Sequence, residues 1–291
     1  MPSWTNATGS GTAELDATAG TKGVLRPEET TRLADLRRDH PVDPALQPFV
    51  ERYWSVRWDL TGRPPFRSEV LSHPSVNVSV ESGTHDRFGF ALPEVLVHGV
   101  VTRRFSVDLT GAGRVTAVKF RPGGFRAFTG WQPARNSVTR LHPLPGVAPE
   151  RVVADVLAVR DDADRAAVLD QALAPFAPEP EPAYLELLGL QARMLHDRAL
   201  VRVEDVAAVA GTSVRSVQRL FAAYVGVGPK AVLARYRLQD AVAAIDAGEV
   251  DDLADLAHSL GYFDQAHFAR DFRAVVGTTP SAYLRQARPT G

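Results

Sequence analysis

The strongest constraint on this chain is a repeat near its end. Asp205-Val-Ala-Ala-Val-Ala-Gly211 is matched fifty residues later by Asp255-Leu-Ala-His-Ser-Leu-Gly261. From Val217 the offset becomes fifty-one: Arg219, Phe221, Ala223, Val225, Gly226, Pro229, Ala231 and Leu233 recur as Arg270, Phe272, Ala274, Val276, Gly277, Pro280, Ala282 and Leu284. That is eight identities in the seventeen positions 217–233, with one residue inserted in the preceding turn.

Each copy reads as a short helix, a glycine turn and a second helix. In the first, Val206, Ala207 and Ala210 form an apolar stripe, Gly211 ends the helix, and Ser213 caps the next, whose core face is Val214, Val217 and Phe221. In the second, Leu253, Leu256, Ala257 and Leu260 form the stripe, Gly261 the turn, Asp264 the cap, and Phe268 with Phe272 the core face. Two helices joined by a tight glycine turn, the first rich in Ala for close approach, is the helix-turn-helix design, whose second helix enters the DNA major groove. Between the copies, Pro229 to Ala247 reads as one helix, with Pro in its first turn and Gly248 past its end. Nineteen residues at about 1.5 Å each span roughly 29 Å, close to the ~34 Å of a duplex turn. One rigid helix can therefore hold both recognition helices toward successive major grooves.

From roughly Leu185 to Gln286, about a third of the chain, the sequence resembles the AraC/XylS family of transcription regulators. The resemblance rests on D-V-A-A-V-A-G-T-S-V-R-S-V-Q-R-L-F and on L-G-Y-F-D-Q-A-H-F-A-R-D-F-R-A-V-V-G-T-T-P-S-A-Y-L-R. Phe263 departs from it, standing where the family usually has a small or polar residue. The resemblance implies base reading by Arg215, Gln218 and Arg219 in the first unit and by Gln265, Ala266 and Arg270 in the second. Residue chemistry agrees: Arg215, Gln218 and Arg219 share one helix face, Arg reads guanine and Gln reads adenine through paired hydrogen bonds. His267 is a further candidate on the second face. Ala266 can touch only a thymine methyl, so the second reader is expected to be less selective. Ser213, Lys230, Arg235, Ser281 and Arg285 lie near helix N-termini or flanking turns and are candidate phosphate contacts. A structural alternative pairs Arg219 with Asp205 and Arg270 with Asp255.

The rest of the chain divides by texture. Residues 1–44 read as a disordered or weakly ordered tail, with a short helix near Glu28–Arg38. Residues 45–145 read as a β-rich regulatory domain. Ser75–Val80, Phe105–Leu109 and Arg114–Phe120 alternate as half-buried strands do, and Thr110-Gly-Ala-Gly113 reads as a hairpin loop. Trp54, Trp58 and Trp131 read as core or as the lining of a ligand pocket. Val118-Lys-Phe-Arg-Pro-Gly-Gly124 looks like part of an N-terminal domain found in some family members, which implies a sensor role without naming a ligand. Residues 146–182 read as a helical linker, closed by the four prolines of Ala174–Pro182. Residues 183–291 are then the DNA-binding domain: a first helix-turn-helix at about 203–224, a linker helix at 229–247 and a second unit at about 252–275. This fragment is expected to bind DNA without the rest. The fold class is α+β: a β-rich sensor-like domain, a helical linker and an all-α domain carrying two helix-turn-helix units.

Composition sets the remaining bounds. Lys plus Arg number 33 and Asp plus Glu 34, which excludes a uniformly basic coat but not a basic face. From 183 to 291 twelve basic residues meet twelve acidic ones, five of the acids lying between Asp246 and Asp255. DNA affinity is therefore expected to be modest and strongly salt-dependent. The absence of Cys removes disulfides, thiolate metal sites and cysteine nucleophiles. His73, His85 and His98 form no His-x-His pair, Thr116 spoils a dinucleotide fingerprint after Gly111-Ala-Gly113, and no nucleophile elbow or phosphate loop occurs. No catalytic residue, metal or cofactor is expected. No apolar run approaches the ~18 residues of a membrane span and the opening residues read as no secretory signal, so a cytoplasmic setting is expected.

The expected partner is double-stranded DNA, with a small-molecule effector, a second copy of the chain and RNA polymerase as further candidates, and no membrane. The leading function is a sequence-specific transcription regulator controlled through its N-terminal domain. The alternatives are a constitutive DNA-binding protein whose N-terminal domain only dimerises, and a metal-dependent β-barrel enzyme with an accessory helical domain.

Overall fold

The computed structural model describes residues 23–25, 27–37, 40–142 and 147–287. Helix α1 (Pro27–Leu33) runs directly into strand β1 (Ala34–Arg37). There follow β2 (Val50–Leu60), β3 (Phe66–Val70), β4 (Asn77–Gly83), β5 (Glu94–His98), β6 (Phe105–Leu109), β7 (Gly111–Phe120), helix α2 (Gly124–Thr129) and β8 (Val138–Arg140). An antiparallel sheet in the order β1-β2-β7-β4-β5-β8 stands against a two-stranded ribbon of β3 and β6.

The period-2 side-chain pattern sorts the large sheet into two buried faces. Trp54, Val56, Asn77, Glu81, Val115 and Lys119 line a cavity on the ribbon side. Their sequence neighbours Tyr53, Val80, Val118 and Phe120 belong to the main hydrophobic core on the other side. That second face is covered by helices α3 (Pro149–Ala158) and α4 (Asp162–Leu173), whose Val156, Ala166, Leu169 and Leu173 enter the same core. Asp161 caps α4 by accepting from the Ala163 N–H at 2.8 Å. Asp170 then ties α4 to the sheet, accepting from the Tyr53 hydroxyl at 2.8 Å.

After a 3-10 turn (Ala174–Phe176) the chain is helical: α5 (Pro182–His196), α6 (Val203–Val209), α7 (Val214–Tyr224), α8 (Pro229–Asp246), α9 (Leu253–Ser259), α10 (Gln265–Val276) and α11 (Pro280–Ala287). The first of these is docked on the β-domain. Tyr184 stacks on Phe49 with ring centroids 5.7 Å apart, and its hydroxyl donates to the Pro48 carbonyl at 2.7 Å. The Gln191 amide donates to the Pro122 carbonyl at 3.0 Å. Gly124 lies beneath this contact: a Cβ there would sit 3.0 Å from the Tyr184 hydroxyl and 2.3 Å from the Phe49 carbonyl oxygen.

Three readings of the sequence are corrected. Residues 1–44 do not form a uniformly weak tail: β1 pairs with β2, Ala34 opposite Trp58 and Leu36 opposite Val56, so the sheet begins ahead of residue 45. Residues 1–22 lie outside the described part. Thr110-Gly-Ala-Gly113 is not a hairpin loop, because β6 pairs with β3 whereas β7 pairs with β2 and β4. Its glycines serve a corner between two sheets: Gly111 has φ +53°, and a Cβ on Gly113 would lie 2.3 Å from the Trp58 ring. Residues 146–182 are helical, as read, but are packed rather than a spacer between domains, because α3 and α4 bury their apolar faces on the sheet and the prolines do not separate two cores. One continuous core holds Phe49, Phe120 and Phe125 together with Tyr184, Val217 and Phe221 of the helical region. A second core, around Leu238, Ile245, Phe268, Phe272 and Tyr283, includes Leu25 and Leu71 from the front of the chain.

Candidate nucleic-acid interface

The two helix-turn-helix units are built from the same local bonds. Gly211 (φ +63°) and Gly261 (φ +75°) take the left-handed backbone that ends α6 and α9. Ser213 caps α7, its hydroxyl accepting from the Ser216 N–H at 3.1 Å. Asp264 caps α10, accepting from the His267 N–H at 2.6 Å. Val217 and Phe221 of α7, and Phe268 and Phe272 of α10, are buried and fix which face each helix turns outward.

On that outward face of α7 stand Arg215, Gln218 and Arg219, all exposed. On α10 Gln265, Ala266 and Arg270 are exposed. Asp205 does not hold Arg219: its carboxylate accepts the N–H groups of Val201 (3.2 Å) and Arg202 (2.8 Å). Among the described residues neither Arg219 nor Arg270 has an ion-pair partner. His267 is half-buried and turned along the scaffold. Its ring meets Tyr262 edge-on at 5.2 Å, and its Nε2 lies 3.6 Å from Asp271.

Of the candidate phosphate contacts, Lys230 at the start of α8 and Ser281 and Arg285 on α11 are exposed, as is Ser213. Arg235 is a correction. It is 4% exposed and donates to the carbonyls of Val101 (3.1 Å) and Arg103 (3.3 Å). Burial pulls its guanidinium down to about 10. No phosphate can reach it; its face of α8 is turned into the β-domain, which sequence spacing alone could not reveal.

The acidic stretch after α8 divides similarly. Asp252 caps α9 by accepting from Ala254 and Asp255. Asp246 is partly buried and accepts from the Tyr283 hydroxyl at 3.0 Å. Burial pushes its carboxyl up to about 6, against the opposing effect of that hydrogen bond.

Between sheet and ribbon lies a cavity of about 1210 Å³, its open mouth included. Trp54, Val56, Phe105, Val107 and Val115 give it apolar walls. One end is charged. The Glu81 carboxylate accepts from the Ser79 hydroxyl at 2.8 Å and lies 3.1 Å from His98 Nε2 and 2.9 Å from Arg87 Nε. Burial raises the Glu81 carboxyl, but His98, Arg87 and Ser79 outweigh it and hold it below its ordinary value. The Arg87 guanidinium lies over Trp58 at 4.8 Å, and its buried Nη1 has no hydrogen-bond partner among the described residues. Helix α8 supplies part of this wall through Gln239, whose amide donates to the Leu71 carbonyl. Sequence reasoning missed this cluster. Its signal was the polar series Asn77, Ser79, Glu81, which alternation places on one face opposite Val78 and Val80.

Comparison with known proteins agrees with this geometry. The family described as a helix-turn-helix domain matches residues 206–286, and a domain of unknown function (DUF6597) matches residues 38–139. A transcriptional activator, NphR of a Rhodococcus species, is 36% identical over 92 residues, 32% of this chain and 27% of its own length. A putative AraC-like transcription regulator of Streptomyces lividans is 35% identical over 83 residues, 28% of this chain and 27% of its own.

Part of the chain is similar to transcription regulators of the AraC type.

Among solved structures, a probable AraC family transcriptional regulator from Rhodopseudomonas palustris is similar at 29% identity, with a TM-score of 0.33, over 36% of this chain and 99% of that one. The chain spans about a quarter of the length of the curated relatives it matches. No helix among the described residues is long and apolar enough to cross a membrane.

Proposed function

We propose that this chain is a sequence-specific DNA-binding transcription regulator whose β-domain takes a small-molecule effector. The carrying observation is the outward face of α7, where Arg215, Gln218 and Arg219 stand exposed and, among the described residues, unpaired by any carboxylate while Val217 and Phe221 lock the helix below. Three long side chains able to make paired hydrogen bonds suit base edges in a major groove. Helix α8, eighteen residues or roughly 27 Å long, has a length suited to spacing α7 and α10 by about one duplex turn.

The effector half of the reading is supported by the cavity and by its contact with α8. A ligand against Gln239 would touch the helix that spaces the two readers, and an effector acts only through a difference in affinity for two states. The partly unsatisfied Arg87 offers it a donor.

Selection of bound duplexes from a random pool tests the first half. One preferred site with two elements about a helical turn apart is expected. Arg219→Ala should weaken that site about tenfold and random duplex far less. Equal loss on both would make Arg219 a backbone contact. Thermal-shift screening of small molecules tests the second half, with a hit on the unaltered chain expected to vanish in Arg87→Met.

A further inference from the structure

The two turns can be matched bond by bond. The Thr212 N–H donates to the Ala207 carbonyl at 3.0 Å, and the Tyr262 N–H to the Ala257 carbonyl at 3.0 Å. The caps follow, Ser213 directly after Thr212 but Asp264 one residue further from Tyr262. The residue inserted in the second unit is therefore Phe263.

A residue just ahead of an N-cap ordinarily packs on the fourth residue of its helix. In α10 that fourth residue is Phe268, and Tyr262 already covers it, with ring centroids 5.3 Å apart and Tyr262 buried. Phe263 is displaced from the scaffold and left 93% exposed, far beyond the other large apolar side chains among the described residues. Single exposed apolar residues are common and by themselves mean little. The position is what distinguishes this one: it adjoins the N-terminal end of α10, next to exposed Gln265 and Ala266. A recognition helix brings its N-terminal residues to the base edges, and the apolar feature of a major-groove edge is the thymine methyl, which Phe can contact. The reader that has alanine at 266 and 269 thus gains a large apolar contact from its turn.

We propose that Phe263 is a specificity-determining residue that contacts a thymine methyl in the half-site read by α10. This rests on the DNA reading above. The test uses the full chain and its selected site, taking as the second half-site the one where Arg270→Ala relaxes preference. Each thymine there is replaced in turn by deoxyuridine, which lacks only the methyl. Binding is expected to fall about three- to tenfold at one thymine. Phe263→Ala should lose the same factor on the unmodified site and no longer distinguish thymine from deoxyuridine at that position, with an unchanged melting temperature.

The proposal is overturned if no thymine is methyl-sensitive, if the sensitivity survives in Phe263→Ala, or if that variant binds as tightly and selectively as the parent. Loss of folding in both Phe263→Ala and Phe263→Ser would make the residue structural and overturn it as well. A parent chain that does not prefer its selected site over random duplex removes the DNA reading itself. A parent that does, beside a silent Phe263→Ala, removes only the thymine contact.

Discussion

The two helix-turn-helix units share a backbone plan and differ in what holds them. The first is part of the β-domain: Val206, Val217 and Phe221 lie in one core with Phe49, Phe120 and Phe125. The second closes a smaller core around Phe268 and Phe272, with Leu25 and Leu71 as its apolar contribution from the front of the chain. They also differ in what they present. The first offers Arg215, Gln218 and Arg219, the second Gln265, Ala266 and Arg270 with Phe263 beside them. A duplicated unit can thus keep its caps and glycine turns while its buried side is refitted to a new neighbour. The unit fused to the β-domain is the one that should feel that domain most.

The sharpest way to break this contrast is Tyr184→Ala. The ring is fully buried against Phe49, and truncating such an aromatic costs about 3–5 kcal/mol. Hydrogen-exchange protection should fall much further in α6 and α7 than in α9 and α10. An equal fall in both units would mean that the helical region opens as one body and the contrast is false.

Arg235→Met should cost somewhat less, about 2–4 kcal/mol, by leaving the Val101 and Arg103 carbonyls without their donor. The salt dependence of DNA binding should be unchanged. A slope reduced by about one counterion would restore Arg235 as a phosphate contact.

Arg235 marks the limit of what was legible in the sequence. Helix, turn and cap signals are local, so Gly211, Ser213, Gly261 and Asp264 could be placed from spacing alone. Which face of α8 meets the β-domain depends on packing between residues more than a hundred positions apart, and no local period carries that. The same holds for Thr110–Gly113, whose glycines signalled a bend but not that the flanking strands belong to different sheets. The charged end of the cavity was hidden for a related reason. Glu81, Arg87 and His98 come from separate segments, and nothing in a single strand links them. The exposed faces of α7 and α10 were legible because amphipathicity fixes the buried face of a helix and so its opposite.

Among the proposed base-reading residues, Arg270→Ala is expected to cost about 1–3 kcal/mol on the selected site, like Arg219→Ala, but with a narrower loss of preference because fewer side chains able to form paired hydrogen bonds stand beside it. Binding measured against singly altered sites would show this. If Arg270→Ala relaxed more positions than Arg219→Ala, the order of the two readers would be reversed.

The smallest expected effect concerns the positions where the repeats differ inside their cores. Val232 of the first unit corresponds to Tyr283 of the second, and both are buried. Only the tyrosine brings a hydroxyl, and it is met by Asp246 at the C-terminal end of α8, where the helix dipole also disfavours negative charge. Burial raises the Asp246 carboxyl from its ordinary 3.8 to about 6. A carboxyl raised in the folded state binds its proton more tightly there than in the unfolded chain. Its ionised form therefore costs stability, by a penalty that grows as pH rises from about 3.8 through about 6 and is complete above that. Asp246→Asn keeps an acceptor for Tyr283 and removes the charge. It should stabilise the second unit by roughly 1–2 kcal/mol at pH 7.5, allowing for water at a partly exposed carboxyl, with the gain fading to nothing near pH 4. Urea melts at pH 4, 5 and 7.5 measure this, and hydrogen exchange assigns the gain to α9–α11 rather than α6–α7. A gain independent of pH would show that the charge of Asp246 is not what separates the two cores.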